Sequence, residues 1–150
     1  MSPILIVILC VAGLALMLVL LRAVVAGVSK AGAAAIAAAY REDQIVLSDA
    51  LANCFGKQSL GAMQLRGNGG LVLTQDQLHF IPLAGAPSVQ VSLKDLTDVE
   101  LVGSFLGKAV GRKLLKVSWG GETADAAAFV VKEPERWRAE IERLRARPGE

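Results

Sequence analysis

The uncharged run PILIVILCVAGLALMLVLL (Pro3–Leu21) constrains this chain more than any other stretch. At about 1.5 Å per helical residue it is long enough to cross a hydrocarbon layer of about 30 Å. A secretory signal would have a basic segment in front of a shorter apolar core. No Lys or Arg precedes this run, and VVAG (Val24–Gly27) is a poor cleavage site. An uncleaved single-pass anchor over residues 1–22 fits better than a signal peptide or a buried core helix. Arg22, Lys30 and Arg41 all follow the apolar run. Positive residues are retained on the cytoplasmic side, so the expected topology in the cell inner membrane has the N-terminus outside and the rest of the chain cytoplasmic.

The remaining residues make one domain of ordinary size. Of 16 Lys and Arg, Arg22 and Lys30 precede Arg41, which leaves 14 against 14 Asp and Glu in the domain and its lead-in. That balance argues against nucleic acid as a partner, because a nucleic-acid-binding domain carries a basic surplus or stripe. Cys10 lies in the apolar run and Cys54 well beyond it. The two are expected to remain thiols, as suits a reducing compartment.

Alanine-rich sequence after the anchor has high helix propensity. The sequence predicts a juxtamembrane helix over 31–53, ending near Gly56 and either separate from the anchor or continuous with it, within a segment 23–53. Ala23, Gly27 and Ala31 recur every fourth position; small residues at that spacing let helices approach closely, so homo-oligomerisation through the N-terminal helices is a second expectation. From Ser59 the apolar period shortens toward two. Strands are expected over 59–67, 71–74, 77–83, 88–93, 96–102, 112–119 and 123–131, with GNGG (Gly67–Gly70) as a turn. The chain then reverts to a helical period: Pro134 opens EPERWRAEIERLRAR, and Trp137, Ile141 and Leu144 form one apolar stripe. The fold class is therefore an N-terminal transmembrane helix plus an α+β domain, a seven-stranded antiparallel barrel or sandwich closed by an amphipathic helix. Arg136–Glu140 is an expected ion pair on that helix.

GSFLGKAVGRKLLKV (Gly103–Val117) resembles a phosphate-binding loop. Such a loop needs four residues between its glycines, a hydroxyl after the lysine and a helix opening behind it. Here the spacing is one residue short, Ala109 stands where the hydroxyl belongs, and strand-like KLLKV follows. Nucleotide chemistry is excluded. The stretch still holds the densest basic cluster of the domain, Lys108, Arg112, Lys113 and Lys116, with Phe105 beside it. These residues are the candidate contacts for anionic lipid or a protein partner, set against the alternative of a solvated hairpin loop. His79 is the only histidine and is expected to point to solvent; no second His or Cys pair joins it, so neither a metal nor another cofactor is expected. No G-x-S-x-G elbow occurs, and no enzymatic role is expected.

The run GGLVLTQDQLHFIPL…VSLKDLTDVEL resembles the GRAM and pleckstrin-homology-like superfamily. The likeness rests on Leu73-Thr74, on Phe80 inside the following strand, and on Val91-Ser92-Leu93-Lys94-Asp95-Leu96. A final helix carrying Trp137 also fits. NCFG, GNGGL and S-x-LGK-x-VGR-x-LL-x-V further resemble a membrane-anchored bacterial group of this superfamily. The resemblance extends over about residues 54–146, within a domain placed at 54–147. It implies a non-catalytic adaptor that binds a protein partner or anionic lipid headgroups at the cytoplasmic face, with a membrane scaffold or accessory subunit as the alternative. Phosphoinositide-binding members carry several cations on the first two strands; here Arg66 stands alone in SLGAMQLRGNGGLVL, so that headgroup site does not carry over.

Overall fold

The computed structural model describes residues 2–147; Met1, the first residue of the expected anchor, lies outside them. One helix, α1 (Pro3–Ala39), runs unbroken from Pro at its first turn through both the expected anchor and part of the expected spacer. It is long and apolar enough to cross a membrane. Its large apolar side chains from Ile4 to Val25 are 45–71% exposed. Each would gain about 1.5–3 kcal/mol on leaving water, so an exposed row of this length calls for an apolar surrounding.

Seven antiparallel strands follow: β1 (Leu47–Lys57), β2 (Gly67–Leu73), β3 (Gln77–Pro82), β4 (Val89–Ser92), β5 (Leu96–Phe105), β6 (Lys108–Trp119) and β7 (Asp125–Val130). A final helix, α2 (Pro134–Arg145), ends the fold. The sheet order is β4-β3-β2-β1-β7-β6-β5. It is two meanders joined where β1 pairs with β7. The sheet does not close between β4 and β5, so the expected barrel is an open, curled sheet. Its concave face holds the main core, with Leu71, Leu78, Phe80, Leu115, Val117 and Phe129 all fully buried. The rings of Phe80 and Phe129 lie 5.4 Å apart. Trp137, Ile141 and Leu144 of α2 complete this core, as the stripe in the sequence predicts.

Three expectations are corrected. First, helix does not extend to residue 53. Tyr40 is extended (φ −138°, ψ 144°), a short 3-10 turn spans Glu42–Gln44, and β1 occupies most of the remainder. Second, residues 59–67 are not a strand; a 3-10 turn, Gln58–Leu60, opens a loop, and GNGG begins β2 instead of turning the chain. Third, the strands expected to end at 102 and to begin again at 112 run further into the hairpin. β5 and β6 turn at Leu106 and Gly107, both with positive φ (51° and 74°).

The last part of α1 packs on the convex face of the sheet. A Cβ at Gly32 would lie 2.0 Å from the Ala50 carbonyl oxygen, and one at Gly70 would lie 2.6 Å from Ile36 Cγ1. Only glycine permits helix and sheet to approach so closely. Followed back from its C-terminus, α1 meets His79 on β3, Gly70 on β2 and Ala50 on β1 in turn. The docked end of α1 thus crosses β3, β2 and β1, and the membrane-length part extends beyond them.

Candidate functional site

The β5–β6 hairpin is irregular in a way that shapes the surface. Val102 pairs with Leu114 and Ser104 with Ala109, so Gly103 alone on β5 stands opposite Val110, Gly111, Arg112 and Lys113 on β6. The excess residues form a wide bulge that pushes the middle of the basic cluster out of the ladder. On the same convex face lies a second, smaller core of Phe55, Phe105, Leu114, Ala126 and Ala128. Phe105 is therefore a packing residue and not a free surface contact.

The structure divides the five residues singled out from the sequence. Lys116 pairs with Glu100 at 2.8 Å across the β5–β6 ladder, and its hydrogen bond and charge hold the Glu100 carboxyl below its ordinary pKa. Lys113 pairs with Glu135 of α2 at 3.2 Å. Lys108 donates to the Gln64 carbonyl oxygen at 2.7 Å. That bond ties the hairpin to the loop 58–66, whose Gln64 amide in turn accepts from Lys57 N–H and donates to the Gly61 carbonyl. Among the described residues Arg112 donates only to the Val131 carbonyl, at 3.4 Å. The helix pairs also differ from expectation: Arg136 meets Glu133, while Glu140 meets Arg143.

Arg112 faces a cleft of about 610 Å³ lined by Asn53, Phe55, Leu65, Arg66, Val110, Arg112 and Val130. Its second cation is Arg66, whose guanidinium stacks over the Phe55 ring at 5.0 Å. Asn53 is oriented by donating to Asn68 Oδ1 at 2.9 Å. No carboxylate lines the cleft, and among the described residues neither arginine has an ion-pair partner. Two uncompensated guanidiniums beside an apolar floor suit an anionic oxygen group. Arg66 is visible in the sequence only as an isolated cation. Its proximity to Arg112 arises through β1 and β7, which lie between β2 and β6 in the sheet.

A second cluster went unrecognised in the sequence. His79 does not point into solvent; its Nδ1 lies 2.7 Å from the Tyr40 hydroxyl, just past the end of α1. The Gln77 side-chain amide donates to the same hydroxyl at 3.2 Å, leaving the hydroxyl proton for Nδ1. Burial raises the Tyr40 pKa, with Asp76 adding to the effect, and burial lowers that of His79 from its ordinary 6.5. On acidification the unfolded chain therefore takes up its proton first. The stabilisation is complete above pH 6.5 and is lost as pH falls toward the lowered folded value. Thermal unfolding of the full chain in nanodiscs should show a melting temperature that falls through this window. His79→Gln should abolish that part of the slope, and an unchanged slope would remove His79 as its source.

No family model matches the chain, and no curated protein matches it. Among solved structures it is similar to a chain of the 8S snRNP assembly intermediate, at 10% identity and a TM-score of 0.55, covering 73% of this chain and 89% of that one. It also aligns with the C-terminal domain of an unknown protein from Leishmania infantum, at 13% identity and a TM-score of 0.47, covering 69% and 84%. The first likeness is one of fold alone.

Proposed function

We propose that this chain is a membrane-anchored, non-catalytic binding module of pleckstrin-homology-like or GRAM-like type. α1 crosses the inner membrane once, and the sheet domain stands at the cytoplasmic face, where it engages a protein partner or anionic lipid. One observation carries the reading: a single unbroken helix has a long exposed apolar stretch and a C-terminal end packed on the sheet. From Arg22, at the expected membrane boundary, to Gly32, docked on Ala50, is about 15 Å of helix. The domain is thus held close to the bilayer in a fixed orientation, with no flexible linker. Such tethering raises the local concentration of any membrane-borne ligand, so weak contacts suffice.

The superfamily assignment draws support from the two antiparallel meanders joined through β1 and β7 and closed by one C-terminal helix. The cytoplasmic placement draws support from Arg22, Lys30 and Arg41 on the domain side of the apolar run. The test uses the full chain, because the docked part of α1 and all of β1 belong to the domain. The protein should stay with membranes through alkaline carbonate, and a C-terminal tag should be cleaved by protease in inverted vesicles but protected in intact spheroplasts. Release by carbonate would overturn the anchor, and cleavage in spheroplasts would reverse the topology.

A further inference from the structure

We infer that the cleft between Arg66 and Arg112 is a binding site for the phosphate group of an anionic phospholipid in the same bilayer that holds α1. The inference rests on the anchored reading given above and adds to it the ligand and the residues that bind it. Three observations support it. Arg66 and Arg112 line one cleft without a carboxylate among them, while Lys113 and Lys116 are already neutralised by Glu135 and Glu100. The lips are apolar and exposed: Leu65 is 72% and Val110 40% accessible, and Met63, beside Leu65 in the same loop, is 95% accessible. A free phosphate has no use for such lips, whereas a headgroup at an interface brings glycerol and acyl carbon with it. Finally, α1 docks on β1 at Ala50, and the same strand supplies Asn53 and Phe55 to the lining of the cleft.

The loop that carries Leu65 and Arg66 is cross-braced by hydrogen bonds. Gln64 braces it from within, and Lys108 fastens it to the hairpin. The two arginines are therefore presented by fixed backbone, and little ordering is lost on binding.

The test is fluorescence of the full chain in nanodiscs, with bimane on Val110→Cys in a Cys10→Ala background. Cys54 is fully buried, with its thiol pushed up to about 11, and does not take the label. In phosphatidylcholine discs, added phosphatidylglycerol should shift the emission to the blue and bring quenching by a headgroup nitroxide. Arg66→Gln and Arg112→Gln, both at exposed positions, should each raise the phosphatidylglycerol fraction at half-effect about fivefold. Lys113→Gln should leave it unchanged. No response to phosphatidylglycerol, or equal responses from all three variants, overturns the inference. The same shift produced by inorganic phosphate in pure phosphatidylcholine discs would reassign the cleft to a soluble anion. Bimane on Leu14→Cys, probed with an acyl-chain nitroxide, separates the two levels. If it is quenched while Val110→Cys is silent, the cleft inference falls and the anchor stands; if it is in water, the anchor falls with it.

Discussion

Gly32→Val is expected to detach the end of α1 from the sheet and lower the stability of the domain by about 3 kcal/mol or more. A Cβ at this position would lie 2.0 Å from the Ala50 oxygen and 2.9 Å from its carbonyl carbon. The obstacle is backbone on both sides, so no rotamer change relieves it. The helix must rise from β1, and Ile36, which is buried against Gly70, must rise with it. The Tyr40–His79 pair, which this part of the chain holds in place, then meets water. In a domain of this size the loss corresponds to a fall in melting temperature on the order of 12–24 °C. Gly27→Val is the matched control, because nothing lies within 4 Å of a Cβ there, and it should leave the melting temperature unchanged. Amide exchange should quicken in β1 and β2 of the Gly32 variant and not in α2. A Gly32→Val protein that melts like its parent would mean that the helix does not rest on Ala50. The functional consequence follows from the same contact, since a domain hinged freely on its anchor no longer presents one flank to the bilayer.

The parts of the fold that were legible in the sequence are those where one local signal acts undisturbed. Trp137, Ile141 and Leu144 behind Pro134 give α2 without ambiguity, and the alternation of Val89, Val91 and Leu93 gives β4. β1 was not legible. Its Ala50 and Ala52 favour helix on propensity, and the bulge between Asp49 and Ala52 breaks the period of two that would have marked a strand. Ala50 is small because α1 passes over it, and Ala52 packs in the main core on the other face. GNGG carries the chemistry of a turn, yet Gly70 is small because Ile36 sits on it. In both places tertiary contact, invisible in one dimension, selected the residue.

The candidate site divides along the same line. The basic cluster at Lys108–Lys116 stands out in the sequence, but which of its members are free depends on Glu100 and Glu135, and Glu135 lies on another element. A solvated hairpin loop was the alternative that the sequence offered here. The structure uses Gly111, with φ 69°, inside a bulge that turns Arg112 toward a cleft. Arg66 could be read as a cation without company, and only the sheet order supplies that company.

Asp49→Ala should cost about 4 kcal/mol, a large share of the 5–15 kcal/mol that holds an ordinary domain folded. Asp49 is only 6% exposed. One carboxylate oxygen accepts the Leu51 N–H at 2.9 Å and the other accepts the Lys132 N–H at 2.7 Å. The first bond closes the β1 bulge; the second fastens that bulge to the segment between β7 and α2, across a sequence separation of 83. Alanine leaves both donors without their acceptor in a shielded site, at about 1–3 kcal/mol each, and hydrogen bonds to a charged acceptor lie toward the upper end. Asparagine keeps one acceptor oxygen and turns an amide toward the other donor, so Asp49→Asn should cost about half as much. Chemical denaturation of the three proteins gives the ranking, and amide exchange at Leu51 and Lys132 locates it. Equal stabilities for parent, Asn and Ala would show that the carboxylate braces nothing. The same bond reaches the candidate site. Lys132 follows Val131, whose carbonyl oxygen receives Arg112, and Val130 lines the cleft. Loosening the segment at Lys132 therefore frees one wall of the cleft and the anchor of one of its two arginines. In the bimane assay, Asp49→Asn should weaken the response to phosphatidylglycerol although Asp49 lies outside the cleft lining, and an undiminished response would separate the brace from the site.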